Sequence, residues 1–158
     1  GNKDLENLDQ EIDQLVELGK LNSLMVPYLS KEALNWFVMS DFAREFWKQP
    51  DKLHRESQFS SLVNASELFS DFSDPSAKIL VHGTVDGYFE AKDGLVLFDY
   101  KTDFVDKTNE EQAIEKIKQK YTGQLRLYEQ ALNEMNNDKK VIGKYLILLD
   151  ARKVVPVD

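Results

Sequence analysis

The chain has 158 residues, 42% of them hydrophobic, with a mean hydropathy of −0.48. That is enough for one domain with a real core, and no apolar run reaches the roughly 18 residues of a membrane span. The formal net charge of −8 argues against indiscriminate binding to nucleic acid. The absence of cysteine excludes disulfides, thiolate nucleophiles and cysteine-held zinc or iron–sulfur centres within the chain.

Charge is unevenly spread. Residues 1–18 carry one lysine and six acids, whereas residues 101–126 carry five lysines and one arginine against five acids. The middle of the chain is therefore the part that tolerates a phosphate ligand. The N-terminus lacks the basic–apolar pattern of a secretory signal, which predicts a cytoplasmic protein with no membrane partner. A chain that starts at Gly1 is predicted to be a piece excised from something longer.

Leu5, Leu8, Ile12, Leu15 and Leu18 recur at helical spacing and predict an amphipathic helix that Gly19 closes. Leu21 to Leu29 reads as a connection containing Pro27. Ser30 suits the N-cap of a helix carrying Ala33, Leu34, Phe37 and Val38, and Asp41 suits the cap of the next, which ends near Pro50. His54–Val63 alternates weakly and suggests a strand, followed by a loop with one helical turn at 64–75.

The strongest β signal lies between Ala77 and Lys101. Ile79, Val81, Val85 and Phe89 share a parity and predict one face of a strand. Lys92-Asp93-Gly94 reverses the chain, and Leu95–Phe98 reads as a central strand buried on both sides. Thr108-Asn-Glu-Glu111 matches a capping box and opens a long helix through Ile117, Tyr121, Leu125, Tyr128 and Leu132. Gly123 reads as a weak point within it, and Asn136-Asn137-Asp138 ends it. Val141–Leu149 and Val154–Val157 complete the pattern with two strands. The order of helices, hairpin, long helix and strand predicts a mixed α/β sandwich.

The hairpin carries the chemistry. Asp86 lies in its first strand and Asp99 near the end of the second, so pairing across the turn sets the two carboxylates at similar heights. Alternation puts Asp99 and Lys101 on one side. Two facing carboxylates repel, and a divalent cation removes that cost. With only His54 and His82 as histidines, such a site is mainly oxygen-ligated, which favours Mg²⁺ or Mn²⁺. Lys101 beside it can orient or help deprotonate an attacking water, and the Tyr100 carbonyl can add a ligand. An acid–x–lysine triplet on its own is more often a solvated face or an ion pair.

The larger pattern is more specific. Gly83-Thr-Val-Asp86, Asp99-Tyr-Lys101-Thr-Asp103 and Tyr121-Thr-Gly-Gln124-Leu-Arg-Leu-Tyr128 together resemble the RecB-like branch of the PD-(D/E)XK nuclease superfamily, over about residues 79–150. With Arg55-Glu56 ahead of them, these residues are most similar to the nuclease domain of helicase-nuclease subunits of the AddAB/RexAB type. The resemblance implies a restriction-endonuclease-like core, with a mixed sheet flanked by helices and extra N-terminal helices. It implies one nuclease domain over 1–158, helical in 1–50 with its core in 51–158.

The resemblance further implies Asp86 and Asp99 as Mg²⁺ ligands, with Tyr100 contributing its carbonyl and Lys101 as the catalytic lysine. It places Gln124 and Tyr128, four apart on one helix face, beside the site and the DNA path. The implied reaction is exonucleolytic hydrolysis of single-stranded DNA within an ATP-dependent complex that repairs and recombines broken duplex ends. The implied partners are DNA, helicase domains of the same parent chain and an AddB/RexB-type subunit. No Gly-x-x-x-x-Gly-Lys-Ser/Thr loop is present, so ATP binding is not expected of this chain. The branch also carries a histidine in a Gly-Thr-x-x-His motif, absent here and expected just upstream of residue 1. His82, on the strand parity of Asp86, and Glu56 are the substitutes within the chain. His54, Thr102 and Asp103 read as structural, and Lys116 and Lys120 as a solvated face that could meet phosphates. The alternatives are a non-catalytic module that guides DNA or docks a partner subunit, and a free-standing RecB-like nuclease, which the missing cluster cysteines disfavour.

Overall fold

The computed structural model describes residues 31–68, 74–136 and 138–158. The expected helix at 5–18, its Gly19 cap, the connection at 21–29 and the Ser30 cap lie outside the described residues. Two short helices come first, α1 (Lys31–Met39) and α2 (Asp41–Lys48). Ser40, not Asp41, caps α2: its hydroxyl accepts from Ala43 N at 3.2 Å and donates to Phe37 O at 2.6 Å. One serine thus both ends α1 and starts α2.

Five strands follow in sheet order β1-β2-β3-β4-β5. They are β1 (Leu53–Asn64), β2 (Lys78–Glu90), β3 (Leu95–Lys101), β4 (Val141–Leu148) and β5 (Lys153–Val157). The one-turn helix α3 (Ala65–Leu68) follows β1, and the long helix α4 (Glu110–Met135) links β3 to β4. All neighbouring strands are antiparallel except β3 and β4, which are parallel, as a helical crossover requires. This is a mixed α/β fold.

The sheet separates two cores. On one side α4 lays Ile117, Leu125, Tyr128, Ala131 and Leu132 over Val85, Leu95, Leu97, Leu146 and Leu148. On the other, α1 and α2 lay Leu34, Phe37 and Phe46 over Phe89, Phe98, Tyr100 and Ile147. β3 is buried on both faces as its unbroken apolar run demands: Leu97 and Phe98 are both fully buried, in opposite cores. Burying such side chains stabilises the fold by roughly 1.5–3 kcal/mol each.

Further expectations need correction. The four odd-numbered residues of β2 do not share a face: Val81 and Val85 pack under α4, while Phe89 joins the opposite core and Tyr88 takes the α4 side. β1 slips likewise, with Leu53 on one side and Phe59 on the other. Both slips fall where Glu56, at φ 45°, lies between the pairs Arg55↔Gly87 and Ser57↔Val85. A local kink there shifts side-chain parity in both strands. The second correction concerns the capping box. The side chain of Asn109, the residue before α4, makes no capping bond. Asp106 instead accepts from Thr108 N at 3.0 Å and from its hydroxyl at 2.7 Å, ahead of a 3₁₀ turn at Lys107–Asn109.

Gly123 does not interrupt α4, because it lies on an exposed side where a methyl group would touch nothing within 4 Å. Asn136 ends the helix, its backbone and side-chain nitrogens both donating to Leu132 O.

Gly87 is a different case. A Cβ there would lie 2.3 Å from Phe98 Cζ, in a ring that is fully buried and stacked on Phe46 at 5.0 Å. Gly87→Ala is therefore expected to lower stability by about 1–3 kcal/mol, read as the shift in a chemical-denaturation midpoint. An unchanged midpoint would show that the ring yields freely.

Candidate active site

The turn at Lys92–Gly94 sets the register Gly87↔Phe98, which brings Asp86 level with Asp99. Beyond that point the strands diverge, and the Asp86 side chain takes the place of a ladder bond: its Oδ2 accepts from Tyr100 N at 2.9 Å. Burial, then the neighbouring Asp99 carboxyl through hydrogen bonding and charge, push the Asp86 pKa up to about 8; the bond from Tyr100 N and the Lys101 charge offset only part of the rise. Asp99 is the single fully buried charged side chain among the described residues.

Lys101 lies two residues on, on the same side of β3. Its Nζ is 2.8 Å from Asp99 Oδ2, 3.3 Å from Gln124 Oε1, and 4.0 Å above the centre of the Tyr121 ring. Tyr100, between the two, points into the opposite core and meets Phe37 edge-on at 5.3 Å. Burial holds its phenol well above the usual range, and the charges of Asp86 and Asp99 add to this.

α4 closes the site from above. Tyr121, Gln124 and Tyr128 lie on one helix face at spacings of three and four. Gln124 receives Lys101 at its side-chain oxygen. Burial, with the nearby Asp99 and Asp86 charges, pushes the Tyr128 pKa up to about 12, so the phenol stays a neutral donor. The Tyr128 ring meets Phe59 edge-on at 4.9 Å. Both rings press on Gly83, where a Cβ would fall 2.6 Å from Phe59 Cζ and 3.4 Å from Tyr128 Cε1. The glycine ahead of Asp86 thus makes room for the tyrosine of the helix. Beside Tyr128 a groove of about 860 Å³ opens between α4 and the β1–β2 ribbon, lined by Phe59, Gly83, Gln124, Arg126 and Tyr128. A second cavity of about 760 Å³ opens in the opposite layer, among Phe42, Phe46, Phe89 and Tyr145, and holds none of these groups.

His54 stacks on Tyr88 at 4.5 Å and pairs with Glu90 at 2.9 Å. Burial opposes ionisation of Asp103, but bonds from the Tyr121 hydroxyl at 2.9 and 3.0 Å and from Lys120 at 3.2 Å outweigh it, and the pKa is lowered. Thr102 is exposed. Lys120 is held on Asp103, and Lys116 stays on the exposed side of α4. His82 is exposed and hydrogen-bonds Ser60 across the ribbon at 2.9 Å, and Glu56 is exposed. Neither joins the two aspartates: among the described residues no three acids or histidines come together.

Sequence reasoning placed Tyr121 in the helix and at the head of its motif but gave it no part at the site. It lies three residues before Gln124 and seven before Tyr128, so the spacing already put it on their face.

These features define a mixed α/β domain with a nuclease-like core, in which two strands and a helix gather a carboxylate pair and a lysine. The whole chain is similar to part of the A subunit of the ATP-dependent helicase/nuclease of Lactobacillus gasseri, at 96% identity over 158 residues, and to the same part of its Lactobacillus johnsonii counterpart, at 82%. The counterpart from Levilactobacillus brevis is 39% identical over 153 residues, or 97% of the chain. The chain spans about 13% of the length of the first two relatives and 12% of the third. No protein-family model matches it. No helix among the described residues is long and apolar enough to cross a membrane.

Proposed function

We propose that this domain is the RecB-like, PD-(D/E)XK-type nuclease part of the A subunit of an ATP-dependent helicase-nuclease, and that it hydrolyses phosphodiester bonds of single-stranded DNA. The observation that carries the reading is the contact between Asp86 and Asp99 with the Lys101 ammonium 2.8 Å away. A half-buried carboxyl group set against a buried one forms an oxygen-rich site, and burial with the Asp99 neighbour pushes the Asp86 pKa up to about 8. A hard divalent cation fits it, and Mg²⁺ keeps several waters when few side chains bind it. Asp86, Asp99 and the Tyr100 carbonyl would hold the ion. Bound there, it would supply charge neutralisation and Lewis-acid polarisation of a phosphoryl oxygen.

The chain's own groups do the rest. Asp99, Gln124 and the Tyr121 ring fix the Lys101 ammonium. From there it can donate to a phosphoryl oxygen, orient the attacking water and offset the charge that develops on the phosphate. Gln124 and Tyr128 line the groove next to the carboxylates, which gives a DNA strand a path past them. Unwound DNA would be delivered by the motor of the same parent chain, working with an AddB/RexB-type partner, during repair and recombination of duplex ends.

Gln124→Ala is expected to slow cleavage by the full-length protein about ten-fold, since it frees one of the Lys101 contacts. The measurement is the rate of Mn²⁺- or Mg²⁺-dependent degradation of a labelled single strand at saturating DNA. An unchanged rate would take Gln124 out of the site.

A further inference from the structure

Phe104 is 80% exposed, the most exposed large hydrophobic side chain among the described residues. An isolated exposed aromatic is ordinarily unremarked, but the setting of this one is specific. It follows Lys101 by three residues, a span of at most about 10 Å. Its neighbours on both sides are anchored. Asp103 is held by the Tyr121 hydroxyl and Lys120, and Val105 is buried with its N–H donating to Asp150 Oδ2 at 2.9 Å. The backbone at Phe104 is therefore fixed from both sides while its ring faces solvent. The fixing contact on the Asp103 side runs through Tyr121, the ring that also supports the Lys101 ammonium. Tyr121 thus touches both the residue before Phe104 and the lysine of the site.

We propose that Phe104 is a stacking platform for a base of the strand being cut, and that it sets the register of the scissile phosphate at Lys101. The inference rests on the nuclease reading. A ring held rigidly loses little freedom on stacking, and every base offers a π-face, so the contact suits a sequence-tolerant enzyme. Lys101 and Lys107 fall within β3 and the following loop, where backbone phosphates would pass.

The test uses the full-length protein and single-stranded oligonucleotides carrying 5-iododeoxyuridine, which cross-links to stacked aromatic rings under long-wavelength light. In the presence of Ca²⁺, the peptide containing Phe104 is expected to be cross-linked, and Phe104→Leu to abolish that adduct. In cleavage assays with Mg²⁺, Phe104→Leu is expected to raise KM about ten-fold or to spread the product lengths, and Phe104→Trp to retain wild-type behaviour. Wild-type KM and product pattern in Phe104→Leu, with no adduct on this peptide, would overturn the proposal while leaving the nuclease reading intact. Protection of Phe104 from hydroxyl-radical oxidation in the DNA-free full-length protein would overturn it in favour of a protein contact. Loss of cleavage in the wild type itself would instead strike the nuclease reading.

Discussion

Lys101→Ala in the full-length helicase-nuclease is expected to lower DNA cleavage by about 10²- to 10⁴-fold and to leave ATP-driven unwinding at its normal rate. The size of the effect follows from how the ammonium is held. Asp99 at 2.8 Å, Gln124 at 3.3 Å and the Tyr121 ring at 4.0 Å fix it from three sides, so no neighbouring cation can replace it. Lys120, the nearest basic residue on that side of α4, is committed to Asp103 at 3.2 Å. Arginine is no substitute, because a planar fork does not fit a position shaped for a point charge. Unwinding is the control, since the fold of this domain contains no nucleotide-binding loop. Cleavage at the wild-type rate by Lys101→Ala would sink the proposed mechanism, and loss of unwinding together with cleavage would point to misfolding.

A second large effect is expected at Asp86, this time on stability. Its pKa in the folded chain is pushed up to about 8, by burial first and then by Asp99, from the ordinary value near 3.8. Between those values the folded state holds a proton that the unfolded state has released. Stability of the metal-free chain therefore falls as pH rises through that window, by up to about 1.4 kcal/mol per pH unit. Asp86→Asn removes the ionisation while keeping an oxygen to accept from Tyr100 N. The variant is expected to melt at least about 4 °C above the wild type at pH 8, with the difference shrinking towards pH 5. Mn²⁺ should raise the melting temperature of the wild type and have little effect on the variant. A variant that melts below the wild type at pH 8, with an unchanged pH slope, would show that the two carboxylates do not strain each other.

Much of this was legible before any coordinates. The hairpin could be read because its turn fixes register over a few residues, and register alone sets Asp86 level with Asp99. The long helix could be read because its apolar positions repeat through 26 residues without a competing signal. β2 was misread at Phe89 because alternation is a local rule, and the kink at Glu56 lies in the partner strand. The helix cap was misplaced because Asp106 and Thr108 both carry capping chemistry, and spacing does not say which one the backbone will use. Tyr121 was hidden for another reason: a tyrosine at helical period reads as core until the lysine above it is seen. The proposed metal-site roles of Asp86, Asp99 and Tyr100 rest on the hairpin reading and on motif resemblance; the geometry gives the contacts of Asp86 with Tyr100 N and of Asp99 with Lys101.

The groups that line the site, from Asp86 to Tyr128, come from β2, β3 and α4, three consecutive elements of one unbroken run of chain. No distant loop contributes to it among the described residues. Groups gathered this way are encoded by one contiguous segment, so a substitution or deletion within residues 86–128 reaches all of them through the same three elements. The helices on the opposite face act on it only through the sheet, by packing Leu34, Phe37 and Phe46 against Phe98 and Tyr100.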